Sequence, residues 1–516
     1  MSNTQTAKSD MPEFGTIRAA LWPIHTFELK KFLPLAFIMF CLLFNYTLLR
    51  DTKDTLVVNS AGAGAISFLK LYCVTPAAIL FVLIYAKLTN VLSRENVFYA
   101  VVTPFIIFFA LFAFVIYPNI DTLHPSVATV QGLHASYPRL GGFIDLYAYW
   151  SYSLFYVLSE IWGSAMIALM FWQFANYIVK MSESKRFYGL FAVIGNVALI
   201  LSGQVVAFCS ENIKQFYATK EEAWQVSLYL LMGAVVVFGF IAMGLYRWTY
   251  KNVLTDKRFF DPETQDAKPK KKKEKLSLTD SAKIIFSSPE LGLIAILIMA
   301  YGVSINLIEV QWKNQLGIYS AGDKGYYNWF MGQFSSLTGI FTICFGLFIG
   351  SNILRRVSWF TAALITPLAI GVGGFLFFSF IIAEDIVQFI LHSISKDAVT
   401  AATFLGAGIV IVGKAIKYIL FDSTKEMAYI PLPDELKTKG KAAVDVIGGR
   451  AGKAGGAFVQ SNLQIFFATK DVLVIAVPCF AVFGITAVLW CFAVKALSKK
   501  VDAAVAKKNE PVAVTA

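Results

Sequence analysis

About twelve stretches of this chain are apolar over the roughly 20 residues that a helix needs to cross a bilayer. Nothing else in the sequence narrows the fold as far, because every backbone N–H and C=O inside hydrocarbon must find its partner within the protein. The runs centre on Phe32–Leu49, Ile66–Leu88, Val97–Tyr117, Leu146–Ile178, Phe187–Cys209, Leu228–Trp248, Leu291–Val310, Trp329–Ile349, Phe360–Ile382, Phe404–Phe421, Ala442–Phe467 and Val472–Val494. Those starting near Leu146 and Ala442 are long enough to tilt or project. Composition agrees: 57% of residues are hydrophobic, 15% are charged and the mean hydropathy is +0.63, more apolar surface than a water-soluble core can hide. The expected fold is an all-α integral membrane protein.

Lysine and arginine placement orients the spans. With the N-terminus inside, one set of loops receives Arg94, Lys180, Lys185, Arg186, the block from Arg247 to Lys283, Arg355, Arg356, Lys425, Lys437, Lys439, Lys441 and the tail from Lys495. The other set receives only Arg139, Lys214, Lys220, Lys324, Lys396 and Lys470. This asymmetry implies an even number of spans with both termini cytosolic. It also absorbs most of the +12 net charge, leaving little to argue for a nucleic-acid partner. The mixed-charge N-terminal lead has neither a signal-peptide nor a transit-peptide pattern. At mid-chain, Lys251 to Ser288 contains Lys268-Pro269-Lys270-Lys271-Lys272-Lys273-Glu274-Lys275, which reads as a solvated inside loop able to touch anionic lipid heads. The expected organisation is a tail (1–30), a six-helix half (31–250), a basic linker (251–288), a second six-helix half (289–497) and a tail (498–516). The six cysteines lie in or beside apolar runs without CxxC spacing, so neither a disulfide framework nor a zinc site is implied.

The halves echo each other. Val193-Ile194-Gly195-Asn196 in span five has a counterpart in Val446-Ile447-Gly448-Gly449 in span eleven, and Asn45 with Lys53 in span one faces Asn306 with Glu309 and Lys313 in span seven. Such a repeat implies two halves related by an axis along the membrane normal, with cargo between them.

Ionisable residues inside spans are functional candidates by default. Asn45, Leu49 and Lys53 follow at i, i+4, i+8 and share a face if span one continues as a helix through this stretch. In span four, Tyr149, Tyr152, Tyr156 and Glu160 form an aromatic stripe leading to a carboxylate with no partner nearby in sequence. Such a stripe serves either packing or stacking on a ligand base. Asn306, Glu309 and Lys313 share a stripe in span seven, where the carboxylate and ammonium are spaced to neutralise each other. Span ten holds Lys414 and Lys417. Lys417 is placed to snorkel, and the deeper Lys414 is the better ligand candidate. In span eleven, Gly448, Gly452 and Gly456 recur every four residues, as close helix packing requires, with Arg450 and Lys453 on another face. The run is one residue short of a P-loop and lacks its hydroxyl residue. An excess of buried cations is costly until something negative arrives, and polyphosphate suits several ammoniums at once. No catalytic constellation accompanies them: HExxH and GxSxG are absent and the four histidines lie near loops. No enzyme, metal or cofactor is implied. A proton-driven peptide carrier would not need this many cations.

Long stretches carry a specific resemblance. Phe44-Asn45-Tyr46-Thr47-Leu48-Leu49-Arg50-Asp51-Thr52-Lys53-Asp54-Thr55-Leu56-Val57-Val58, Glu160-Ile161-Trp162-Gly163-Ser164, and Phe421-Asp422-Ser423-Thr424-Lys425-Glu426-Met427-Ala428-Tyr429-Ile430-Pro431-Leu432 with Lys439-Gly440-Lys441-Ala442 closely resemble the non-mitochondrial ATP/ADP translocases of obligate intracellular bacteria and plastids. The resemblance covers the membrane portion and implies a twelve-helix, major-facilitator-like fold and import of ATP in exchange for ADP at a bacterial inner membrane. It also implies functional roles for Lys53, Glu160, Glu309 and Lys453, and a further role for Lys414 or Lys417. The family includes proton-coupled nucleotide importers and exchangers of other nucleotides, so exchange mode, nucleotide range and co-transport of phosphate stay open. The expected partners are ATP, ADP and the lipid bilayer, with the chain acting as a monomer.

Overall fold

The computed structural model describes residues 22–256, 258–260, 288–392, 397–430 and 440–509, with isolated positions 15, 18, 432 and 436. Most of the basic linker expected at 251–288 lies outside the described residues, as do parts of both tails. Eleven helices among the described residues are long and apolar enough to cross a membrane: α1 Thr26–Ala61, α2 Ala65–Val91, α3 Arg94–Leu123, α4 Trp150–Ile178, α5 Arg186–Phe216, α6 Lys220–Asn252, α7 Pro289–Tyr319, α8 Lys324–Arg356, α9 Trp359–Ile382, α10 Ala398–Tyr429 and, after α11, α12 Ala476–Ala503. The remaining long helix, α11 Lys441–Phe466, carries Asp445, Arg450 and Lys453 among its glycines and is less apolar than the others. The expectation of about twelve spans is met by these eleven plus α11.

Polar residues at the turns start many of these helices. The side chains of Ser93, Thr219, Ser288, Asp323, Ser358 and Asp397 each accept a hydrogen bond from the backbone N–H three residues on. Gly62, at φ +81°, ends α1 in a conformation that other residues avoid. Three boundaries differ from the sequence reading. α1 does not close near Leu49 but runs to Ala61, so its charged stretch lies within a helix. The long run from Leu146 is divided at Tyr149, where the backbone leaves helical geometry between a short helix Gly141–Ala148 and α4. The last helix begins at Ala476, not Val472, and continues beyond the spanning part, α12, to Asn509.

Each half is gathered around its first helix: α1 packs on α4, α5 and α6, and α7 packs on α10, α11 and α12. This two-fold correspondence places α1 and α7, with their charges, at the centre. The glycine spacing in α11 works as close packing: a Cβ on Gly302 of α7 would come 2.6 Å from the Gly452 backbone.

The halves meet most extensively along α5 and α8. There a Cβ on Gly332 would stand 2.5 Å from the Gly203 carbonyl oxygen, and one on Gly203 would stand 2.4 Å from that of Gly332. Backbone cannot yield as a flexible side chain can. Gly332→Ala is therefore expected to cost about 1–3 kcal/mol through overpacking. A lowered melting temperature of the purified protein checks this, and an unchanged one would contradict the close approach.

Ion pairs show where the halves are joined. On the side remote from the termini, Asp323 holds Lys214 (3.3 Å) and Lys220 (3.1 Å), and Asp145 holds Lys470 (3.2 Å), all across the two halves. On the terminus side, Lys31–Glu183, Arg186–Glu28, Arg247–Glu95 and Lys500–Glu290 each lie within one half. The described structure is latched on the remote side.

Candidate functional site

The charges of α1, α4, α7 and α10 meet where the halves face each other. Lys53 is buried, with its Nζ 2.8 Å from Asp54 Oδ1, 3.0 Å from Glu160 Oε1 and 3.9 Å above the ring of Tyr156. Lys313 Nζ lies 2.8 Å from the other Asp54 oxygen, so one carboxylate joins α1 of the first half to α7 of the second. Glu309 Oε1 accepts from Lys414 Nζ at 3.1 Å, and that ammonium also lies 4.9 Å from the ring centre of Phe334. The arrangement is quasi-symmetric with the signs exchanged: α1 lysine to α4 glutamate in one half, α7 glutamate to α10 lysine in the other. Glu309 and Lys313 do not pair with each other as their spacing suggested, because Asp54 takes the lysine and Lys414 the glutamate.

Counting Lys53, Lys70, Lys313, Lys414 and Lys453 against Asp54, Glu160 and Glu309 gives five ammoniums and three carboxylates, an excess of two. Lys453 of α11 is exposed and forms no ion pair among the described residues, yet it stands within electrostatic reach of Glu160. Lys70, half-buried, also stands within electrostatic reach of Glu160 without an ion pair among the described residues; it passes unnoticed in the sequence, where it looks like an end-of-span lysine free to snorkel. Asp54 is the other omission. Beside Lys53 it reads as a local neutralising charge, and only the approach of Lys313 reveals it as a bridge.

Several candidates fall elsewhere. Asn45 turns away from Lys53, is fully buried, and donates to the Val235 carbonyl of α6 at 2.8 Å. Asn306 accepts from Gln460 at 3.2 Å, tying α7 to α11 beside Gly456. Lys417 pairs with Asp422 at 2.9 Å, while Lys414 joins the central cluster. Arg450 is exposed and makes no ion pair among the described residues. Of the span-four tyrosines, only Tyr156 lies at the cluster. Tyr149 and Tyr152 stack with each other at 6.0 Å, and Tyr152 also stacks with Tyr117 and lies beneath Lys324. Those two rings pack the remote end of the bundle and do not face the charges. A second polar seam, Arg50 and Asp51 on Ser335 with Thr55 on Asn328, binds α1 to α8.

On the remote side, Asp145 also meets His134 Nε2 at 3.0 Å. Burial raises the Asp145 carboxyl above its ordinary range, with Lys470 and His134 pulling the other way. It therefore takes up a proton at higher pH than a free aspartate, and the link to Lys470 weakens as pH falls. Asp145→Asn is expected to loosen the latch. In a background with its accessible native cysteines replaced, a cysteine at Gln464 should then react several-fold faster with a membrane-impermeant thiol reagent applied from that side. An unchanged rate would show that the pair does not hold the latch.

Two six-helix halves, each built on its first helix and meeting at a charge cluster, define the class: a multi-pass membrane protein with a major-facilitator-like transporter fold. The nucleoside transporter NupG superposes with a TM-score of 0.55 at 13% identity, covering 91% of this chain and 99% of that one. A peptide transporter of the POT family, solved with sulfate, gives 0.53 at 13% identity over 92% and 95% of the two chains. At such identity the likeness is one of fold. Sequence goes further: the chain belongs to the TLC ATP/ADP transporter family, whose pattern it matches over residues 7–501. It is 46% identical over 508 residues to ADP,ATP carrier protein 1 of Rickettsia prowazekii, covering 98% of this chain and 99% of the relative. Against ADP,ATP carrier protein 1 of Chlamydia pneumoniae it is 43% identical over 508 residues, covering 98% of each.

Proposed function

We propose that this protein imports ATP in exchange for ADP by alternating access, with the central charge cluster as the phosphate site. The observation that carries the reading is the excess of ammoniums over carboxylates between the halves, on a chain whose relatives are ADP,ATP carriers. Without substrate, Glu160 and Glu309 hold Lys53 and Lys414 in place. Arriving phosphates meet Lys453 first, because it is exposed and has no carboxylate to leave, and then draw on Lys53 and Lys414. Tyr156 fixes the position of Lys53 by presenting its ring to the ammonium.

Exchange follows from the same imbalance. Closing the empty protein around an uncompensated positive charge is costly in a low dielectric, whereas either nucleotide neutralises it. Only the loaded carrier then passes readily between its two open states. The bacterial origin of the relatives and the lysine and arginine asymmetry favour an inner-membrane location with both termini cytosolic. ATP carries about one more negative charge than ADP, so exchange moves charge unless phosphate travels with ADP.

Thermal unfolding of the purified protein with ATP, ADP, AMP and inorganic phosphate tests the reading. ATP and ADP should each raise the melting temperature, since a ligand at a hundred times its Kd stabilises the folded state by about 2.7 kcal/mol. A rise with inorganic phosphate alone would point to a carrier for another anion.

A further inference from the structure

We propose that Lys70 is a ligand for nucleotide phosphate, acting from the first half opposite Lys453 in the second. The assignment deepens the nucleotide-exchange reading and rests on it. Lys70 lies in a wide, π-helical turn, Leu69–Val74, near the start of α2. That turn packs against the first part of α4, which carries Tyr156 and Glu160, and also against α11, which carries Lys453. Such turns recur at functional sites, and the Lys70 carbonyl is satisfied here by the Thr75 hydroxyl at 2.8 Å.

The lysine stands within electrostatic reach of Glu309 and Glu160 and of the ammoniums of Lys313 and Lys53, and forms no ion pair among the described residues. Every carboxylate of the cluster is already engaged by another lysine. A structural lysine escapes this situation by snorkelling to water, but the way to the remote side is closed. Residues Ala65 to Leu69 are buried, and Gln464 of α11 donates to the Gly64 carbonyl at 3.3 Å above them. A half-buried ammonium with no carboxylate of its own, in a cluster where ammoniums outnumber carboxylates, is unfavourable for the empty protein and favourable once anionic oxygens arrive. Lys70 and Lys453 both act on Glu160. A chain of phosphates lying along that carboxylate's two flanking ammoniums would tie α2 of one half to α11 of the other.

The test compares the full-length protein with Lys70→Gln, Lys70→Met and Lys70→Arg, measuring binding of ATP, ADP and inorganic tripolyphosphate by calorimetry and ATP uptake in proteoliposomes. Removing the charge should weaken all three ligands about tenfold or more, raise the uptake KM more than it lowers kcat, and flatten the dependence of affinity on salt. Lys70→Arg should keep most of the affinity. The ligand-free melting temperature of Lys70→Gln or Lys70→Met should be equal to or above that of the wild type, since an uncompensated charge has gone. A purely structural lysine would instead lower it. Wild-type affinity in either neutral variant overturns the proposal. If the wild type binds tripolyphosphate but neither nucleotide, and the neutral variants lose it, Lys70 stands as a phosphate ligand and the nucleotide reading falls. If the wild type binds none of the three, both fall.

Discussion

Asp54→Asn is expected to abolish exchange and to lower stability by about 3–5 kcal/mol, the usual result of removing one member of a buried ion pair. One carboxylate here serves two buried ammoniums, each at 2.8 Å and each from a different half. Asparagine keeps the shape and one acceptor, but it leaves Lys53 with Glu160 alone and Lys313 without a carboxylate. The two like charges then repel across the joint that α1 and α7 form. Thermal unfolding and ATP uptake measured on the same preparation check both parts. A variant with wild-type melting and transport would remove Asp54 from the account.

Lys53→Gln is expected to reduce kcat/KM for ATP uptake about a hundredfold or more, and more than Glu160→Gln does. Lys53 is held by two carboxylates and an aromatic face, so its loss both frees negative charge in the phosphate site and removes a cation from it. Glu160→Gln leaves Lys53 bound to Asp54 and leaves the site more positive. Because the two side chains touch, their effects should not add. The double variant should resemble Lys53→Gln, with an interaction energy of about 0.5–3 kcal/mol. Additive losses, or a larger loss in Glu160→Gln, would mean that the pair does not work as a unit. Immunoblotting of the membrane fraction separates lost transport from lost insertion.

Much of the fold was legible because lipid leaves the backbone few options. Apolar runs of bilayer length name the helices, and the glycines spaced by four in α11 name a close contact that Gly302 completes from the other side. α11 is the instructive exception, since it is a full-length helix whose charges and glycines lower its apolarity below that of the other eleven. Lys53, Glu160, Glu309 and Lys414 were also legible, because a charge deep in an apolar run has no cheap explanation. Their partners were not. Helical spacing pairs Glu309 with Lys313, but residues on one helix are only near neighbours, and a better-placed carboxylate on another helix takes the lysine. The same limit hides the separate fates of Asn45 and Lys53, which share a stripe by spacing yet face α6 and α4. The sequence leaves packing and ligand stacking both open for the span-four tyrosines; Tyr149 packs on Tyr152, and the helix break at Tyr149 ends the periodicity that aligned it with Tyr156.

The most direct test of the central claim is uptake of labelled ATP into proteoliposomes loaded either with ADP or with buffer alone. An exchanger whose empty form is held back by uncompensated charge should take up ATP only into ADP-loaded vesicles. Equal uptake into vesicles holding buffer alone would contradict obligatory exchange and make the protein a net nucleotide importer.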